Sequence, residues 1–350
     1  MVPPPVGSGM TGVIRRLAWP VWNAAERRPR APVRLALFAA ALGLAGAGVG
    51  FALRRLPPAV RDRLLGAVPS AVVGSPGVRQ AVGAVAGAGL LLALVAGAGV
   101  ALDRRRLRDY GLALDRDWWL DCGFGLCLGA ALLSLVFAVE YAAGWVAVRG
   151  TVRAAGPLAF PAAFAAAAAL FVAVGVAEEL LLRGYVLTNL AEGLGALGNR
   201  AAVVLATLAS SALFGALHAG NPNATAVSTV AVGAGGVMLA LGYVLTGDLA
   251  IPIGLHTTWN LFQGAVYGYP VSGMDLGVSA LVTVRSGPRI ATGGAFGPEA
   301  GLTGAGAMVV GSVAIAAYVR WRGGRLALAP VSVPALRWWR WARPGARDGD

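Results

Sequence analysis

The chain contains no lysine, and all 29 of its basic residues are arginine. Charged residues of both signs make up only 13% of its 350 positions, against a usual share of about 25%. That scarcity excludes an intrinsically disordered chain, which needs high charge and low hydrophobicity. There are only two cysteines, Cys122 and Cys127, in one apolar run. They cannot build a disulfide framework or a cysteine metal site. No HExxH pair marks a soluble zinc protease, and no GxSxG marks a serine nucleophile. The 51 glycines follow no Gly-X-Y period, so a collagen helix is excluded. The first 30 residues hold Arg15, Arg16, Arg27, Arg28 and Arg30 but no apolar stretch with a cleavage site, so no signal peptide is expected.

What is abundant is apolar. Hydrophobic residues make up 57% of the chain, and the mean hydropathy is +0.69. A soluble globule of this composition could not cover its surface. The predicted class is all-α, a polytopic membrane helix bundle with about eight transmembrane helices, since each crossing takes about 20 apolar residues. The runs lie near 34–53, 80–102, 119–148, 158–190, 201–219, 226–246, 249–269 and 304–321. The third and fourth exceed one straight crossing. Residues 270–303 are expected to form a loop.

A net charge of +13 could suit nucleic acid, but here the arginines sit between apolar runs and orient the chain in the bilayer. Nineteen fall on the side of the N-terminus, nine on the other, and Arg183 within a span. The bias puts both ends in the cytoplasm, although five arginines between Arg54 and Arg79 run against it. The expected organisation is a basic cytoplasmic segment over 1–32, spans one to three over 33–150, a catalytic membrane core over 151–322 and a Trp/Arg-rich cytoplasmic tail over 323–350. Tail residues Trp338, Trp339, Arg340, Trp341 and Arg343, like Trp19 and Trp22, suit either a headgroup region or a solvated tail. Gly46 with Gly50, and Gly83 with Gly87, have the small-xxx-small spacing of close helix contacts, although a glycine-rich composition produces such pairs unaided. The all-arginine, Gly/Ala-rich composition suggests a prokaryotic cell membrane.

Charge inside a span costs roughly 2.5–3.5 kcal/mol per group at mid-membrane and needs a reason. The fourth run carries Glu178, Glu179 and Arg183. Glu179 and Arg183 are i,i+4 neighbours and can pair. Glu178 points about 100° away and has no partner on its own helix. Two adjacent carboxylates at depth repel, which suits one to an ion pair and leaves the other for general base work. The only histidines, His218 and His256, lie on later runs, with Phe214 four residues before the first and Asn260 four residues after the second. Converging, these groups could activate water and hold an oxyanion, or bind a divalent metal such as zinc through His218, His256 and Glu178. Gly193-Leu-Gly195-Ala-Leu-Gly198 matches GxGxxG but follows a helix, so the dinucleotide reading fails. Glu140 in the third run is assigned no role.

Glu178-Glu179-xxx-Arg183, Phe214-xxx-His218 and His256-xxx-Asn260, in this order on successive runs, resemble the CAAX-processing and bacteriocin-processing (CPBP, or Abi) family of intramembrane proteases. That family includes the type II CAAX prenyl endopeptidases. The likeness spans about 158–265. The stretches His218-Ala-Gly-Asn-Pro-Asn223 and Gly294-Ala-Phe-Gly-Pro-Glu299 are also similar. The resemblance implies a membrane-embedded peptidase, a CAAX-protease-like hydrolase, acting on a membrane-associated peptide or protein, prenylated or bacteriocin-like. It implies Glu178 as the activator of water, Glu179 assisting or paired with Arg183, and His218, His256 and Asn260 positioning water, oxyanion or metal. The partners expected are that substrate and the lipid bilayer, not nucleic acid. A non-enzymatic immunity or scaffold protein on the same fold, and a proton-relay transporter, are the competing classes.

One tension follows from simple antiparallel crossings, which put His218 at the outer end of run five and His256 at the inner end of run seven. They meet only near half depth, or where a span breaks, with Pro252 or the Asn221-Pro222-Asn223 turn as the places for a break.

Overall fold

The structure is a computed structural model and describes residues 21–24, 26–57, 60 and 76–331. The expectations for Trp19, for the arginines within 61–75 and for the tail beyond 331 lie outside the described residues. Eight main helices follow in order: α1 (Ala31–Arg55), α2 (Pro76–Ala98), α3 (Arg116–Ala142), α4 (Phe160–Gly193), α5 (Asn199–Leu217), α6 (Ala226–Thr246), α7 (Ala250–Leu261) and α8 (Leu302–Gly323). Among the described residues, all but α7 are long and apolar enough to cross a membrane. This is an integral membrane protein with an all-α fold.

Ends of helices fall where side chains can satisfy them. Asp115 caps α3 by accepting from the Trp118 amide at 2.9 Å. Thr225 and Ser228 form a reciprocal capping box on α6, which stops at Gly247 with φ 82°, a conformation glycine adopts without strain. The expected third span, 119–148, ends earlier, at Ala142. Val146–Ala154 is instead a strand, β1, paired antiparallel with β2 (Val278–Arg285) from Val146 opposite Arg285 to Ala154 opposite Val278. The expectation of a plain loop over 270–303 is therefore corrected. Both segments are rich in valine, which suits a pleated ribbon, but one lay at the end of an apolar run and the other in a glycine-rich stretch.

The seventh expected span, 249–269, is a shorter helix that runs on as a π-helical turn from Phe262 to Val266. Every residue from Ala250 to Trp259 is buried, with α3, α4 and α6 around it. A helix enclosed by three others lies in the protein interior, where its polar His256, Thr257 and Thr258 meet protein rather than lipid. Its close contact is with α3. A Cβ placed on Gly125 or Gly129 would collide with the backbone oxygens of Ile251 or Leu255, and one on Gly254 with that of Cys122. Thr258 Oγ1 ties the seam by donating to Leu126 O at 2.7 Å. By contrast Gly46, Gly50, Gly83 and Gly87, the pairs singled out by spacing, have open space around them.

Several arginines counted as orientation signals are buried in ion pairs. Arg28, Arg34 and Arg105 converge on Glu192 at the end of α4, and Arg34 also pairs with Asp103 at 3.1 Å. Cys122 packs in the core, and Cys127 is exposed.

Replacing Gly125 by leucine is expected to drive α3 off α7 and cost about 3 kcal/mol or more. The same change at Gly46 should be nearly neutral. Thermal unfolding of both variants in detergent, followed by size exclusion, checks the contrast.

Candidate active site

α4 changes pitch where its charges lie. It is α-helical to Glu179 and widens to a π-helix over Leu180–Leu187. α7 does the same two residues after Asn260. Such turns re-aim the side chains around them and concentrate at functional sites. Neither was legible in the sequence.

Glu179 is fully buried. Its Oε1 accepts from Arg183 Nη1 at 2.8 Å and from His256 Nδ1 at 2.8 Å. Arg183 is also fully buried; Nη2 donates to Gly236 O at 2.9 Å, and the guanidinium carbon sits 4.6 Å over the Phe214 ring. The i,i+4 pair expected from the sequence is present, and His256 joins it from a helix 77 positions away.

Glu178 behaves differently. Its side chain is 33% exposed, against 0% for Glu179. Its Oε2 has no hydrogen-bond partner and lies 3.9 Å from His256 Nε2. His218 Nδ1 is 2.8 Å from Phe214 O. A carbonyl only accepts, so Nδ1 carries the proton and Nε2 is left as an acceptor. By the same logic His256 donates Nδ1–H to the Glu179 carboxylate, and its Nε2 faces Glu178 Oε2 as one acceptor facing another, to be joined only through a shared donor. Phe214 stands between the two imidazoles, its ring 4.7 Å from His218 and 5.9 Å from His256, edge-on to both.

The crossing tension is resolved without a broken span. His218 follows the last turn of α5, and Phe214, one turn earlier, reaches His256 inside α7. Pro252 does not break α7. It sits in the first turn, where a missing N–H leaves no helical bond unmade. The Asn221-Pro222-Asn223 turn joins α5 to α6 instead, and Asn221 and Asn223 donate to Ser272 O at 3.2 Å and Gly273 O at 3.4 Å.

Glu178, His218, His256 and Asn260 all line one cavity of about 540 Å³. Most of its wall is apolar, with Leu170, Phe171, Val232, Met238 and Met308 among the lining residues. Among the described residues, no three His, Cys, Asp or Glu side chains gather as ligands of one ion. Glu178 and His256 face each other as two donors, short of a three-ligand set.

The sequence reading missed part of the wall. Asn221, Ser272 and Glu299 also line the cavity. The stretch ending in Glu299 had been noticed, but nothing local says that it returns to the site. Glu299 is buried, accepting from the Ser272 amide at 2.6 Å and from Gln263 Nε2. Glu140, given no role, is a buried brace: it accepts from Tyr269 at 2.9 Å and Thr303 at 2.8 Å.

Burial pushes the Glu299 carboxyl up to about 7, only partly offset by those hydrogen bonds. An unburied glutamate ionises near 4.5. Between these values the unfolded chain releases a proton that the folded chain keeps, so stability falls as pH rises through that window. Asp248, raised to about 6 by burial and then by Asp115 and Asp121, adds a slope of the same sign. Melting temperature is therefore expected to drop between about pH 4.5 and 7, and Glu299→Gln to flatten the upper part of that drop.

Residues 160–262 match the family model described as Type II CAAX prenyl endopeptidase Rce1-like. The match contains Glu178, Glu179, Arg183, Phe214, His218, His256 and Asn260, and it excludes Glu299. Comparisons with curated proteins and with solved structures gave no match.

Proposed function

We propose, from the likeness of residues 160–262 to type II CAAX prenyl endopeptidases, that the protein is an intramembrane endopeptidase. It hydrolyses a peptide bond of a membrane-associated substrate, prenylated CAAX-type or bacteriocin-type, with water activated by Glu178. The observation that carries this reading is the facing pair of Glu178 Oε2, without a partner, and His256 Nε2, 3.9 Å away. One water can donate to both groups at that separation.

Each neighbour then has a role that follows from its bonds. Glu178 takes a proton from the attacking water and returns it to the leaving amine. Glu179 fixes the tautomer and orientation of His256, as a carboxylate behind an imidazole commonly does. Arg183 balances the Glu179 charge, which would otherwise be stranded in the interior. The Asn260 amide supplies a donor for the developing oxyanion. His218 Nε2 accepts from the substrate amide. No step is routed through a metal ion, since no three His, Cys, Asp or Glu side chains gather as ligands among the described residues. Both chain ends lie on the cytoplasmic side of a prokaryotic membrane in this reading, as the arginine bias favours.

With purified protein in proteoliposomes and a panel of membrane peptides, Glu178→Gln should lower kcat by about 10²–10⁴-fold. Asn260→Ala should lower it by about 10²–10³-fold. A chelator should leave turnover unchanged. Cleavage products identified by mass spectrometry check all three. Full turnover by a folded Glu178→Gln variant would overturn the assignment of the base.

A further inference from the structure

The charge of the cavity wall bears on which substrates it can take. Glu178 and Glu299 both line the cavity, the Glu299 carboxyl held in its wall by the Ser272 amide and Gln263 Nε2. His218 and His256, with Nδ1 already donating, present Nε2 as an acceptor. Its lining residues with donor groups are Gln80, Asn221, Trp259, Asn260 and Ser272, all neutral, and the Asn221 amide already donates to Ser272 O. Among the described residues that line it, none is arginine, although the chain has 29. The guanidinium nearest the catalytic pair, Arg183, has both Nη atoms engaged, by Glu179 and Gly236 O, and it does not reach the cavity wall. Arg285 donates to Gly294 O and lies over the Tyr269 ring.

We propose that this cavity rejects carboxylates beside the scissile bond: the substrate residues that flank the bond are uncharged or cationic, the bond is internal rather than next to a free C-terminus, and Glu299 is a specificity-determining residue. This deepens the endopeptidase reading and rests on it. A carboxylate brought here loses its water, meets no cation and faces two groups of its own sign. An uncompensated buried charge is among the costliest arrangements in a protein interior. An amide or apolar side chain in the same place meets none of these penalties. A lysine or arginine side chain can turn toward Glu299.

The test uses the wild-type protein in proteoliposomes at pH 8, above the ordinary imidazole range near 6.5. A neutral apolar peptide from the active panel, its cut site mapped by mass spectrometry, is the parent. Its variants carry Asn, Asp or Lys one residue past the cut, and an amidated or free C-terminus two residues past it. The Asp and free-terminus peptides should have kcat/KM at least about tenfold below their Asn and amidated counterparts, with Lys tolerated. Glu299→Gln should shrink that gap, read as the ratio of the Asp to the Asn peptide within the variant itself. The same peptides are also scored for how far they raise the melting temperature of the protein, which requires no cleavage; here an apolar peptide stands in as the parent if the panel yields no cut.

Equal handling of Asp and Asn peptides, and of free and amidated termini, in turnover and in melting temperature overturns the proposal. So does faster cleavage of the acidic ones. If no peptide is cut but only the uncharged and cationic ones raise the melting temperature, the endopeptidase reading fails and the charge selection stands. Should Glu299→Gln fail to fold, the wild-type comparison alone decides.

Discussion

A carboxylate surrounded by apolar helices needs a cation or strong donors beside it, and Glu179 has both on a single oxygen. Arg183 comes from the same helix, one turn on, and His256 from α7. Neither bond is optional, because breaking a buried pair leaves a stranded charge, at a cost of about 3–5 kcal/mol. The consequence reaches beyond Glu179. Its bond to Nδ1 settles which nitrogen of His256 is left over, and that nitrogen faces Glu178. The adjacent glutamates are thereby divided: Glu179 is part of the frame, and Glu178, a third exposed, lines the cavity with its Oε2 near His256, although Oε2 of each carboxylate is without a hydrogen-bond partner.

The division depends on how closely α7 can approach its neighbours. Lipid gives helices little hydrophobic drive to associate, so close contact relies on small residues and a few hydrogen bonds. Gly125 and Gly129 on α3, Gly254 on α7 and the Thr258 hydroxyl provide that contact. On the facing side, Gly175 of α4 sits against Thr257. α7 is therefore held between two backbones, and His256 and Asn260 are projected from a fixed rod. The π-helical turns after Glu179 and after Asn260 shift the following residues relative to a regular helix. They begin next to the residues whose direction matters most.

A second charged cluster lies away from the cavity. Arg28, Arg34 and Arg105 meet on Glu192, and Asp103 receives Arg34, Tyr110 and Asn189. It ties the entry of α1 and the end of α2 to the last turn of α4. Buried ion pairs contribute little net stability over an apolar alternative; what they do here is hold one end of the helix whose middle bears the glutamates. The arginines that orient a membrane chain by their number thus also brace it by their positions.

Much of this was legible in one dimension. Span positions follow from local sums of transfer energy, so six of eight came out within a few residues; the third overran into β1, and α7 differed because protein rather than lipid surrounds it. Glu178, Glu179, Arg183 and the two histidines stood out because charged and polar groups are rare in apolar runs. Spacing could not separate the glycines at a helix seam from those facing open space, because 51 glycines make such intervals common. Nor could it place Glu299, which reaches the cavity from 39 positions beyond Asn260, or the pairing of β1 with β2. By itself the sequence determined that the chain spans a membrane and which of its groups are too costly there to be idle. Tertiary structure alone decided which oxygen meets which nitrogen, since hydrogen bonds act over about 3 Å and that proximity is set by helices meeting at glycines far apart in the chain.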